Sequence, residues 1–365
     1  PDHDWRSRAA DVIPGGSSTG SRRPDVLYGS RALDAAVPTH FERADGCYLW
    51  SPDGRRFLDC GMALGAVGIG YADPSITRAV INAASNGNIS ALPHGLEVEV
   101  AERLVQVIPS AEQVRFLRTG AEANAAAIRM ARALTGREQV VACGYFGWHD
   151  WCSDAAGVPA SVQRAVTWVP FNDSGALETA ISELAAPPAA IIIEPLVHDL
   201  ASASWLHVAR RLADQTGAVL IFDEVKTAFR VRTGGVQELT GVTPDLTTLG
   251  KAMANGFAVA CVAGRRDIMQ LGSIEFAGTE RVFLLSTTHG AEMGGLAAFI
   301  ATMDYMESKP VIQHLWSYGA RLVAMLNQQA AAFGIAHSFK AAGVACSPYY
   351  TTTDAEGKPS LALRT

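Results

Sequence analysis

Lysine is scarce in this chain: it occurs at positions 226, 251, 309, 340 and 358, and arginine supplies the other 25 of the 30 basic residues. Lys251 stands in "DLTTLGKAMANG", Asp245 to Gly256, with Leu249, Gly250 and Ala252 beside it. A surface cation needs no such setting. An amine that condenses with a carbonyl benefits from it, because it attacks unprotonated and small apolar neighbours solvate the charged form poorly. A second reactive group lies 28 residues upstream, where Asp223 closes the apolar run "AVLIFD" and precedes Glu224. One reading of that pair is a Mg²⁺-holding aspartate of a nucleotide hydrolase, which needs an upstream GxxxxGK[ST] loop. The chain has none, and the Gly250-Lys251 pair lies downstream and is followed by Ala252. Another reading is a carboxylate that caps the next segment. The third is an acid set against a cationic ring nitrogen. Pyridoxal phosphate requires that acid and an amine for its aldehyde, and Asp223 with Lys251 supplies both.

Such a cofactor also needs a phosphate cradle and a partner for its ring. Thr119 precedes a helical segment that opens Gly120-Ala121-Glu122. A helix N-terminus offers free N–H groups and positive potential, and glycine permits close approach. "GYFGWHDW", Gly144 to Trp151, concentrates aromatics between glycines. Tyr145 is the candidate to stack on a flat ring, and His149 is a candidate acid–base group or a hydrogen-bonded histidine of an aromatic loop.

The elements that must hold these residues follow from periodicity. Helical spacing predicts helices over 74–84, 96–107, 120–134 and 206–216, with Thr135-Gly136 stopping the third. Short β-branched or apolar runs predict strands at 140–143, 189–194, 218–223 and 257–263. Residues 46–60 read as a hairpin about the turn Ser51-Pro52-Asp53-Gly54, and residues 14–25 as a Gly/Ser-rich loop. Strands alternating with helices imply an α/β fold with a mainly parallel sheet covered on both faces. Ligands in such folds lie at the carboxyl ends of the strands, where the sequence puts Glu194 and Asp223.

The 365 residues exceed one simple core, and 48% hydrophobic with 18% charged residues is the composition of a packed globular protein. A net charge of −6 without a basic run argues against nucleic acid. No apolar run reaches the roughly 18 residues of a membrane helix, and "PDHDWRSRAADV" lacks an apolar signal segment. The six cysteines form no CxxC pair. They read as small buried thiols of a cytoplasmic protein, without a metal site. Residues 357–365, "GKPSLALRT", are strand-like and suggest a C-terminal domain that continues past them.

Together these segments resemble the class III, fold type I pyridoxal-phosphate aminotransferases, in the branch around glutamate-1-semialdehyde aminomutase. The resemblance runs from "IPGG" at Ile13 to the end. "DEVKTAFR" resembles D-E-V-x-T-G-F-R, which implies Asp223 as the pyridinium partner and Val225 as a packing residue on the ring. "LGKAMANG" implies Lys251 as the Schiff-base lysine. "RTGAEAN" resembles N-S-G-T-E-A and implies that Thr119, Gly120 and Ala121 bind phosphate. "GYFG" resembles Y-H-G, with Tyr145 on the ring face. "STTHGAE" implies that Thr287 reaches the phosphate of a neighbouring subunit, hence a homodimer with shared sites.

The departures are Phe146 for the histidine of Y-H-G, Lys226 for a Gln or Met, Ala228 for a glycine, and altered neighbours around Arg22. They point away from glutamate-1-semialdehyde as substrate. The pattern is similar to relatives acting on sugars and aminocyclitols. The implied activity is transfer of an amino group between a small-molecule amino donor and a carbonyl acceptor, an aldehyde, keto sugar or semialdehyde. The alternative is an aminomutase or epimerase using the same residues. Arg22, Glu194, Lys226 and His149 are the candidate substrate contacts. The implied division is an N-terminal segment 1–50, a large cofactor domain 51–308 and a C-terminal small domain 309–365.

Overall fold

The computed structural model describes residues 2–28, 37–282 and 285–360. The chain forms two compact units, one of residues 1–62, 69–73 and 313–365, the other of residues 63–68 and 74–312.

The larger unit is built on a seven-stranded sheet. Four short strands lie elsewhere or at its start: β1 (Arg43–Asp45), β2 (Tyr48–Trp50) and β3 (Arg56–Leu58) in the smaller unit, then β4 (Gln113–Leu117). Next come β5 (Val140–Cys143), β6 (Val166–Trp168), β7 (Ala190–Ile193), β8 (Val219–Asp223), β9 (Leu246–Leu249) and β10 (Ala260–Gly264). The spatial order is β4-β10-β9-β8-β7-β5-β6. Pairings from β9 through β6 are parallel, and β10 runs antiparallel to both β9 and β4. Strands β5, β7, β8, β9 and β10 are buried along their whole length. That is why β-branched and small residues fill them without alternation. The predicted α/β class holds, with one reversed strand in an otherwise parallel sheet.

Helix boundaries follow their caps. Helix Gly120–Thr135 starts on Thr119, whose Oγ1 accepts from the Glu122 amide, while Glu122 Oε2 accepts from the Thr119 amide: a full capping box. It ends at Gly136, which takes φ 65°. Helix Ala203–Thr216 is capped by Ser202, starts three residues before the expected 206, and ends on Gly217. The core of this unit lies between helix 120–135 and the sheet, with Ile128, Met130, Val140, Ile192, Ile221 and Val262 buried together. The strand expected at 257–263 forms at Ala260–Gly264, because Phe257 closes the turn after Lys251 by donating its amide to the Ala254 carbonyl.

In the smaller unit, β1, β2 and β3 form an antiparallel sheet in which Tyr48 faces Leu58, as the hairpin pattern requires. Strands β11 (Phe339–Val344) and β12 (Ser347–Thr352) make a second hairpin. Three cysteines depart from expectation: Cys47 and Cys60 are exposed and Cys152 is half-buried, whereas Cys143, Cys261 and Cys346 are buried. The first two flank the short strands of a small sheet with little core to enter. The run Leu361–Thr365 lies outside the described residues. Among the described residues no helix is long and apolar enough to cross a membrane.

Candidate active site

Lys251 follows β9 at once, on a short turn Lys251–Ala254. Its φ is +46°, in the left-handed region that a side-chain-bearing residue enters at a cost of order 1–3 kcal/mol. Asn255 ends the turn at φ +45° and accepts the Gly68 amide on its Oδ1 at 3.0 Å. The turn is thus strained at its start and pinned at its end, next to the carboxyl end of the sheet.

Asp223 closes β8, 4% exposed. Its Oδ1 accepts from the Val225 amide at 3.0 Å and its Oδ2 from Asn124 Nδ2 at 2.8 Å. Burial pushes its carboxyl up to about 7 against these two donors; the Glu194 carboxylate adds to the rise and the Lys251 amine opposes it. Glu194 follows β7 and accepts the Tyr145 amide on Oε2 at 2.9 Å. Burial raises its proton affinity too, opposed by that amide and by the charges of Lys226, Lys251 and His198. Lys251, Asp223 and Glu194 therefore share one electrostatic neighbourhood at the ends of three adjacent strands.

Val225 links this group to the helix. A Cβ on Gly120 would lie 2.9 Å from both Val225 methyl groups, so the helix start and the β8 turn meet only with glycine there. The cap engages the Glu122 amide, and Ala123 donates to the Thr119 carbonyl. The Gly120 and Ala121 amides take no part in it. The aromatic loop closes on the same place. Gly144 has φ +133° and faces the Glu194 side chain, and Gly147 has φ +105° and faces Ala121. Neither position leaves room for a Cβ.

Tyr145 is 71% exposed. Phe146 is buried against Trp151 and Trp168, at centroid separations of 5.6 and 6.1 Å. An aromatic in that position anchors the loop where a histidine would be polar. His149 meets Trp148 edge-on at 5.2 Å. Lys226 Nζ donates to the carbonyls of Leu196 and Val197 at 3.2 and 2.9 Å, tying the β8 turn to the segment after Glu194. Thr287 lines a separate hollow of about 300 Å³ with Asn88, Ser90, Leu92 and His94. Arg22 lies exposed on the turn Gly20–Arg22 of the smaller unit.

Asn124 is not among the residues that the sequence pattern points to. It is 1% exposed on helix 120–135, and its Oδ1 accepts from the Thr248 hydroxyl at 2.7 Å while its Nδ2 donates to Asp223. Its only cue in the sequence is an amide among the apolar residues Ala123, Ala127, Ile128 and Ala131 of that helix, which does not name its partner.

Residues 30–357 match the class-III aminotransferase family. The chain belongs to that family. Among solved structures, this class-III aminotransferase is similar to the PLP internal aldimine form of the FumI protein of Sphingopyxis sp. MTA144, with 27% identity over 97% of this chain and 83% of that one and a TM-score of 0.85. It is similar to an omega-transaminase from Sphaerobacter thermophilus at 29% identity, over 94% of this chain and 81% of that one, TM-score 0.84. A glutamate-1-semialdehyde aminomutase from Pseudomonas aeruginosa PAO1 shares the fold at 19% identity, over 100% and 83% of the two chains, TM-score 0.82.

The cofactor of this aminotransferase is pyridoxal phosphate, and the residues present fit it. Asp223 is a buried carboxylate whose neutral donors leave burial uncompensated, which a protonated ring nitrogen would offset. The two amides outside the cap sit at the positive end of a sixteen-residue helix, a setting suited to phosphate.

Proposed function

We propose that Lys251 holds the cofactor and carries the proton in amino-group transfer, with Asp223 as the partner of the ring nitrogen. The observation that carries this reading is the convergence of Lys251, Asp223 and Glu194 at the carboxyl ends of β9, β8 and β7, beside the capped start of helix 120–135. When bound, pyridoxal phosphate supplies an aldehyde for the amine and a cationic ring that withdraws electrons from the substrate carbon.

The chain's own residues do the rest. Thr119, Gly120 and Ala121 hold the phosphate through hydroxyl and amide donors. Val225 supports one face of the ring and Tyr145 the other. Asp223 keeps a positive charge on the ring nitrogen. Lys251 Nζ removes a proton from the substrate carbon that bears the amino group and later returns one. Glu194 and Lys226 border the space for substrate, with His149 as a further contact. The protein works as a cytoplasmic homodimer in which Thr287 completes the phosphate site of the partner subunit. One similar structure is a beta-phenylalanine aminotransferase from Variovorax paradoxus, at 28% identity. This supports placing β-amino acids among the donors, beside aldehydes, keto sugars and semialdehydes as acceptors.

The test is Lys251→Ala. It should abolish turnover and remove the absorption, in the range of roughly 400–430 nm, of a lysine-bound chromophore. An active variant with unchanged absorption overturns the assignment. Mass spectrometry of amino exchange to a panel of separate carbonyl compounds then identifies the acceptor.

A further inference from the structure

Thr248, Asn124 and Asp223 form a buried hydrogen-bonded chain across three elements. Their exposures are 0%, 1% and 4%. Thr248 is in β9, Asn124 lies one turn into helix 120–135, and Asp223 ends β8. The Thr248 hydroxyl donates to Asn124 Oδ1 at 2.7 Å. Asn124 Nδ2 donates to Asp223 Oδ2 at 2.8 Å and to the Phe146 carbonyl at 3.3 Å. Every polar atom of the amide is therefore used, and its orientation is fixed. A flipped amide would set its oxygen against a carboxylate and a carbonyl, and its nitrogen against the threonine hydroxyl.

We propose that Thr248 and Asn124 are positioning residues for Asp223: the threonine orients the amide so that the carboxylate is held as an acceptor facing the ring nitrogen. The proposal rests on the assignment of Asp223 to that nitrogen. Its physical content is directional. A buried carboxylate without a cationic neighbour in contact tends to take up a proton, and a neutral acid cannot hold a positive charge on the ring. The Asn124 donor favours the ionised form and is itself neutral, so it leaves the negative charge for the ring to answer. It sits on the helix whose first turn faces the phosphate. The same residue therefore also sets the distance between phosphate cradle and ring acid. The charged and titratable groups around Asp223 are Lys251 after β9, Glu194 after β7 and Cys152 in the segment after the aromatic loop.

The experiment reconstitutes wild type, Thr248→Ser, Thr248→Val, Asn124→Leu and Asp223→Asn with pyridoxal phosphate labelled with ¹⁵N in the ring. The ring-nitrogen shift is followed against pH, the cofactor dissociation constant is measured, and melting of the cofactor-free proteins is recorded alongside. Thr248→Ser should behave as wild type. Thr248→Val and Asn124→Leu should release the ring proton at lower pH, by about one pH unit, and bind the cofactor roughly tenfold more weakly, as for a lost hydrogen bond to a charged group. Asn124→Leu should show the larger change. If both keep the wild-type shift and affinity, or change only in melting, while Asp223→Asn loses the ring proton, the proposal fails and the Asp223 assignment stands. If Asp223→Asn leaves the ring proton unchanged, the assignment itself fails.

Discussion

Asp223 and Glu224 are consecutive, buried carboxylates, and burial raises the proton affinity of both. Their surroundings differ because successive side chains leave a strand on opposite faces. Glu224 is closed by its own chain. Its Oε2 accepts from the Thr227 hydroxyl and from the Val236 amide at 2.9 Å, and its Oε1 from the Gln237 amide at 3.0 Å. The Val236 and Gln237 amides begin helix Gly235–Thr240, so Glu224 fixes that helix start. Asp223 has one backbone amide and one side-chain amide, with an amine and a second carboxylate nearby. The same chemistry, one residue apart, makes a structural knot on one face of the sheet and an open acceptor on the other. What separates them is how many of their lone pairs the fold itself uses.

The Asp223 side of the comparison is read in the pH dependence of the cofactor-free enzyme. Between pH 3.8, where an ordinary aspartate ionises, and about 7, folded Asp223 keeps a proton that the unfolded chain has released. Stability then falls as pH rises through this window, by on the order of 1.4 kcal/mol per pH unit at most. Denaturant midpoints from pH 4 to 8 should show the fall, and Asp223→Asn should flatten that part of it. With pyridoxal phosphate bound, the slope should diminish, since a cationic ring favours the ionised acid.

A pair of amide substitutions exchanges the two roles. Asp223→Asn should lower the transamination rate roughly 10²–10³-fold, the scale of removing one preorganised electrostatic partner, with little loss of melting temperature. Glu224→Gln replaces an oxygen that accepts backbone N–H bonds with a donor. It should cost roughly 1–3 kcal/mol of stability and leave turnover per folded molecule near wild type. Equal effects of the two on either readout would erase the distinction.

Much of the site is legible in the sequence, although this division is not. Lys251 stands out because lysine is scarce and its neighbours are small, Asp223 because it closes an unbroken apolar run, and the Thr119-Gly120 helix start because its signal is local. Central strands β5, β7 and β8 read clearly as unbroken apolar runs. Strands β4 and β6 did not. They are the sheet edges, only partly buried, so their residues mix polar and apolar without a clean period. Strand β9 hid because Thr247 and Thr248 are polar yet fully buried, each consumed by a partner far away in sequence. Asn124 was illegible for the same reason: its bond to Asp223 spans 99 residues. Nor did sequence show that Glu224 is closed and Asp223 open, since the donors that close it come from residues 227–237 after a turn.

The smallest effect concerns how each face excludes bulk. On the Asp223 face, Gly120→Ala sets a methyl against the two Val225 methyls, a crowding of about 1–3 kcal/mol. Val225→Ala opens a small gap instead. The double variant should be more stable than the sum of the singles implies, and a double-mutant cycle on melting and cofactor affinity measures the coupling. On the Glu224 face the corresponding substitution has no such remedy. Gly235→Ala meets the Glu224 carboxylate at φ +81°, so trimming the partner would remove the contact yet leave the backbone strained and the Val236 and Gln237 amides without their acceptor. A 120/225 double variant close to wild type in stability, and a Gly235→Ala/Glu224→Ala double that stays well below it although the clash itself is relieved, would show that the open face tolerates repacking where the closed one does not.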